Sequence, residues 1–155
     1  MTHDWNHPCT IQWCQYLLDS YAHWLGQDLI DRLGTSSQQA ERLFQSNFVV
    51  ASHGRDPDPI LNYGNQKALV LWAMDWQHFT QTPSRLTAEA PIREERERML
   101  EQARTQGYIS NYRGIRISSA GQRFLVNNAI IWNIHDPNGV TIGQGATFNT
   151  WQFLS

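Results

Sequence analysis

The last third of the chain constrains its fold most. Residues 108–118, 122–135 and 140–153 read as three strands, joined by Ser119-Ala120-Gly121 and by Asp136-Pro137-Asn138-Gly139, both with hairpin turn chemistry. Ile115 alternates with Ile117. Phe124, Val126, Ile130, Trp132 and Ile134 fall on one period-two face, on which Asn128 is the single polar interruption. Strands linked by such short turns pair antiparallel, and an apolar sheet face needs a cover.

The preceding residues supply that cover. From residue 11 to 33, Cys14, Leu17, Leu18, Tyr21, Leu25 and Leu29 recur at three- and four-residue intervals, one stripe of an amphipathic helix that Trp13 and Trp24 widen. Gly34 reads as its stop. Ser36 and Gln39 have capping-box spacing ahead of a second helix, whose inner face is Ala40, Leu43 and Phe44. Residues 48–52 predict a strand. Asp56-Pro57-Asp58-Pro59 cannot continue it, because proline lacks the donor a ladder needs, and residues 60–63 resume as a second strand. Gly64 breaks that strand, and Asn65 is placed to cap a helix with Ala68, Leu69 and Trp72 inward.

Residues 75–90 show little periodicity beyond short helical turns. Pro91 suits the first turn of a helix running to Gln106, with Ile92, Met99, Leu100 and Ala103 inward and the charge run from Arg93 to Arg98 in solvent. Five strands with helices gathered on one side make an α+β arrangement. Residues 1–34 are expected to be a helical extension and residues 35–155 the domain proper.

A length of 155 residues fits one domain that buries roughly two-thirds of its unfolded surface. Twelve basic against fourteen acidic residues give a formal charge of -2, with Lys67 the only lysine, so the chain carries no electrostatic footprint for nucleic acid or for a membrane surface. Cys9 and Cys14 lie five positions apart in a helical segment, which turns their side chains apart by roughly 140°. Free thiols in a reducing cytoplasm are expected, and the absence of a signal-like start or a long apolar window fits a cytoplasmic location. Seven tryptophans and five tyrosines imply broad aromatic packing faces.

Several blocks, SHG, DPILNYGN, ALVLW, PSRLTAE, RGIRISSAGQRF and TWQF, appear in an order that resembles the MEKHLA domain, a PAS-like module, over roughly residues 10–155. That resemblance implies two opening strands, several helices and a three-stranded meander. Together they form a five-stranded antiparallel sheet that cups a pocket beneath helices on one face, preceded here by the N-terminal helical extension. It also implies a sensory or regulatory role, here of the stand-alone bacterial type. The DNA binding of the plant homeodomain-leucine zipper relatives does not carry over, because the chain has no homeodomain or zipper. PAS modules hold flavin, haem, small metabolites or nothing, and the cofactor here is left unnamed. Photoadduct chemistry of the light-oxygen-voltage type needs a pocket cysteine, whereas both cysteines lie in the N-terminal helix. Haem needs an axial histidine; the helix ending at Gln106 has none, and His78 is nearest.

The candidate ligand-binding residues are His53, Asn62, Tyr63, Arg85, Tyr112, Asn128 and Gln144, with Arg113 beside Tyr112. Asn128 could equally be satisfied by backbone or a buried water, and Arg85 could pair with Glu89. The stretch HGRDPDPILNYGN also admits a small enzyme with His53 as general base and Asp56 or Asp58 orienting it, although no nucleophile or oxyanion motif accompanies them. The same three residues could hold a metal only if the prolines let them converge, and no metal site is assigned. Trp13, Tyr21 and Trp24 are the expected seam of a homodimer through the N-terminal helix. The sequence therefore points to a regulatory domain that binds a small molecule or a protein partner, with the small enzyme as the alternative.

Overall fold

The structure, a computed structural model, describes residues 4–89 and 93–155. Pro91 and Ile92, expected in the first turn of the long helix, lie outside the described residues. After a short 3-10 turn at Asp4–Asn6, the elements in chain order are α1 (Pro8–Leu25), α2 (Ser36–Phe44), β1 (Val49–His53), β2 (Leu61–Gly64), α3 (Gln66–Trp72) and α4 (Trp76–Phe79). A 3-10 turn at Ser84–Thr87 follows, then α5 (Arg93–Gln106), β3 (Tyr108–Ile117), β4 (Arg123–His135), β5 (Thr141–Phe148) and β6 (Thr150–Phe153). No helix among the described residues is long and apolar enough to cross a membrane.

Local chemistry sets the helix ends. Pro8 sits in the first turn of α1, the His7 ring accepts the Cys9 N–H, and Gly26, left-handed at φ 73°, closes the helix. The α2 capping box forms one residue earlier than its predicted spacing: Thr35 Oγ1 accepts the Gln38 N–H while the Gln38 side chain accepts from the Thr35 N–H. Asn65 caps α3 as expected and does more than cap. Its fully buried amide accepts the Val50 and Ala68 N–H groups and donates to the Leu43 and Phe48 carbonyls, tying α2, β1 and α3 together.

The strands are ordered β2-β1-β5-β4-β3, antiparallel throughout, with β6 beside the first half of β4. The final predicted strand is therefore two, broken at Asn149. The cause lies opposite, in β4. Val126 pairs with Gly114 but Ala129 with Tyr112, so β4 carries an extra residue, and Asn128 stands there at φ 56°. A compensating bulge in β3 places Asn111 at φ 57°. Asparagine tolerates this left-handed backbone better than most side chains.

Those bulges correct the single apolar face read from β4. Before Asn128 the even residues Phe124 and Val126 join Val49, Ala51, Leu61, Trp72, Phe79 and Phe148 in one core. After it, Trp132 and Ile134 join Cys14, Leu17, Leu18, Tyr21, Ala40, Leu43, Val50 and Tyr63 in another. Helices consequently cover both faces, with α1 and α2 on one and α3, α4 and α5 on the other. The extension does not form a layer of its own: α1 and α2, on either side of residue 34, share one core.

The α1 face consumes the aromatic surplus. Tyr21 meets Trp132 edge-on at 5.0 Å, and the Trp132 indole N–H donates to the Leu17 carbonyl. Trp24 donates to the Asn133 carbonyl, and Trp13 donates to Ser52 Oγ. The Trp13 ring lies over Gly143, where an added Cβ would come within 2.8 Å of it, so only glycine admits that approach. Trp13, Tyr21 and Trp24 are thus committed to the protein's own sheet, which corrects their assignment to a dimer seam.

Candidate functional site

On the other face, the sheet, α3, α4 and the Ser84–Thr87 turn enclose a cavity of about 90 Å³. Trp72, Phe79, Val126, Ile131 and Phe148 give it apolar walls, and His53, Ser84, Thr87, Arg116 and Gln144 supply polar groups. Strand register brings these together. His53 ends β1 directly opposite Gln144 on β5, so two polar side chains sit side by side. Arg116 reaches the cavity from β3, where it pairs with Phe124 of β4. The roof is tied down by Thr87, whose hydroxyl donates to the Ser84 carbonyl and whose carbonyl accepts the Trp72 indole N–H.

The hydrogen bonds fix some donors and leave others open. His53 Nδ1 lies 2.7 Å from the Gly54 carbonyl, which can only accept, so Nδ1 carries the proton and Nε2 is left for other use. Gln144 Nε2 donates at 3.4 Å to Asn133 Oδ1, and its side chain also borders a second cavity of about 80 Å³ beneath α5. The Arg116 guanidinium lies 5.5 Å from the Tyr112 ring centre. Among the described residues it has no carboxylate partner and no hydrogen-bond acceptor.

Of the sequence candidates, His53 and Gln144 line the cavity, and Tyr112 flanks it beneath Arg116. The others lie elsewhere. Asn62 and Tyr63 are turned to the α1 face by an irregularity in the β1–β2 register after Ser52. Asn62 Oδ1 there accepts from Ser52 Oγ at 2.7 Å. Tyr63 is fully buried against the Cys14 side, its hydroxyl without a partner in hydrogen-bond geometry. Burial raises both groups, Cys14 to about 12 and the Tyr63 phenol well above its usual value, so both stay neutral near pH 7. Asn128, at its bulge, is exposed and borders a shallow groove with Tyr21 and Ile130 instead of the cavity. Arg113 is exposed.

Arg85 is exposed and binds Asp58 through both carboxylate oxygens, at 3.2 and 3.3 Å. Its alternative partner Glu89 instead takes Arg123 at 2.6 Å. Asp56 and Asp58 lie exposed in the β1–β2 loop, and neither hydrogen-bonds His53, so the expected acid/base pairing is not formed. No group of three or more His, Cys, Asp or Glu among the described residues is placed to hold a metal.

Sequence reasoning missed Arg116, Ser84 and Thr87. Taking Ile115 and Ile117 as the inner face of their strand put Arg116 outside, whereas both faces of the sheet are covered. Gly114 and Tyr112 at two-residue steps from Arg116 were the available signal: the Tyr112 ring lies over Gly114, where a Cβ would be 2.5 Å from its hydroxyl. A separate open groove of about 660 Å³ runs between α3 and β6, bordered by Lys67, Val70, Leu71, Trp151 and Phe153.

Solved structures with the same fold include a light-oxygen-voltage domain studied with a flavin analogue, 13% identical over 76% of this chain and 85% of that one, TM-score 0.56. A PAS domain from Colwellia psychrerythraea is 11% identical over 73% and 94%, TM-score 0.57. The light-state dimer of the fungal blue-light photoreceptor Vivid is 9% identical over 94% and 93%, TM-score 0.55. A comparison with curated proteins gives no significant match.

The residues here do not fit a flavin. Cys9 is exposed at the start of α1 and Cys14 is buried on the opposite side of the sheet, so neither thiol faces the cavity. The cavity is also well below the roughly 300–1,000 Å³ of sites for larger ligands. For haem, the His78 of the sequence reading is exposed on α4, outside the cavity. The fold is PAS-like, and the MEKHLA domain model matches residues 11–153, so the chain belongs to the MEKHLA domain family.

Proposed function

We propose that this chain is a sensory or regulatory module that binds a small molecule in the cavity between the sheet and α3–α4. The observation that carries the reading is an enclosed, mainly apolar cavity with convergent polar groups, in a fold shared with light-oxygen-voltage and PAS domains. Strand β1 offers a route outward. His53 borders the cavity, while Ser52 beside it points the other way and accepts from Trp13 of α1. A ligand that shifts the end of β1 changes the seat of α1, and so biases the population of α1 arrangements open to a partner. Trp13, Tyr21 and Trp24 do not form a dimer seam in this scheme; they transmit strand position to the helix.

The test is a small-fragment screen by amide and indole NMR on the isotope-labelled chain. Binders that perturb Trp72 and Ala129 support the reading; a library without any that does so at millimolar concentration contradicts it.

A second reading has its own observation. Val70 and Phe153 are 75% and 59% exposed beside the α3–β6 groove, and β6 pairs on one edge only, with β4. An extended segment of a protein partner could add to that edge and place apolar side chains in the groove. Phe153→Ser should abolish such an interaction while leaving fragment binding in the cavity intact.

A further inference from the structure

We infer that the cavity takes a small carboxylate of about one ring in size, with Arg116 holding its anionic end. This rests on the reading of the cavity as a ligand site and adds the chemistry of the ligand. Size is the first constraint. About 90 Å³ is closer to the roughly 150 Å³ apolar hole that admits a benzene ring than to a nucleotide site.

Charge is the second. Arg32, Arg85, Arg104 and Arg123 each have a carboxylate, and Arg42 and Arg55 donate to carbonyls. Arg116 borders the cavity with none of these among the described residues. A guanidinium has five N–H donors in a planar fork that matches a carboxylate, and leaving it half-buried without an acceptor is costly. The Tyr112 ring beside it holds the plane and satisfies none of those donors.

An internal acid does not fill the role. Ala88 bridges to Arg116, which brings Glu89 close, yet the Glu89 carboxylate is bonded to Arg123, which holds it below its usual carboxylate range. No Asp or Glu borders the cavity. The Ser84 hydroxyl, with no side-chain partner among the described residues, is a second donor for the same anion. The remaining walls fit a ring: Trp72 meets Phe79 and Phe148 edge-on at 5.9 and 6.1 Å.

The test uses benzoate and its neutral isostere benzamide as probes, titrated calorimetrically into the wild-type chain, Arg116→Gln and Ala129→Leu. Ala129 borders the cavity and is 2% exposed, so leucine there fills the space. Thermal melts of each variant establish that it folds, and Ala129→Val replaces the leucine variant if that one does not. The expected result is benzoate binding at least about tenfold tighter than benzamide, a preference lost in Arg116→Gln and all binding lost on filling the cavity. Equal wild-type affinity for the two probes overturns the carboxylate assignment and leaves the ligand-cavity reading standing. Benzoate binding that survives cavity filling places the anion outside the cavity and overturns the inference. Failure of both probes to bind, while neutral fragments perturb Trp72, also overturns the carboxylate and spares the cavity; silence from every fragment removes both.

Discussion

The two faces of the sheet are built from the same strands and do opposite things. On the α1 face, large side chains fill the space and most polar groups have partners: Trp132 to Leu17, Trp24 to Asn133, Trp13 to Ser52 and Ser52 to Asn62. On the other face the packing stops short of closure, and the Arg116 guanidinium and His53 Nε2 remain uncommitted. The α1 face holds the sheet fixed, so the opposite face can keep a cavity. Side-chain size alone does not separate them, since Trp72, Phe79 and Phe148 are also aromatic. Unspent hydrogen-bonding capacity does.

The comparison breaks first at Trp132. Trp132→Ala removes a fully buried indole from the α1 face and should cost about 3–5 kcal/mol in urea unfolding. A loss below about 1.5 kcal/mol would mean that α1 is not the stabilising layer. Asn65→Ala comes next, at about 2–3 kcal/mol, because it strands buried backbone groups of β1, α2 and α3 together. Asn65→Asp keeps both accepted bonds but loses both donated ones, so it should also destabilise, by a different amount.

Alkali provides a milder probe of the α1 face. Cys14 is raised from 9.0 to about 12 by burial, so above pH 9 the unfolded chain releases this proton before the folded one does. Stability should be level below pH 9 and decline towards pH 12, by at most ~1.4 kcal/mol per pH unit for this group. Cys14→Ala should flatten the slope; Tyr63, also raised, retains part of it above pH 10. In the native protein at pH 8, iodoacetamide should label exposed Cys9 and spare Cys14. The smallest effect is expected on the cavity face, where Arg116→Gln should change unfolding stability by about 0.5 kcal/mol or less.

Much of this fold was legible because its signals are local. Hairpin turns, the prolines of the β1–β2 loop, the Asn65 cap and the amphipathic spacing of α1 each act over a few residues. The switch of faces in β4 was not legible, because it depends on two bulges that offset one another across paired strands. Asn128 marked one of them and was taken for a polar group on a continuous face. The same step explains the tryptophans. With one apolar face expected, Trp13 and Trp24 looked surplus to the fold; with two faces covered, they are its second layer. At the site, His53 and Gln144 could be picked out as polar residues on short strands. Tyr63 was lost to a register irregularity, and Arg116 stayed hidden between two isoleucines.

The central claim, that one face is fixed and the other receptive, is tested most directly by the indole NMR signals of the tryptophans during a benzoate titration. The account predicts that Trp72 moves saturably and Trp132 stays in place, with any change at Trp13 smaller and following the same binding curve. Movement of Trp132 and Trp24 with Trp72 unchanged would contradict it, because the α1 face would then be the one that responds.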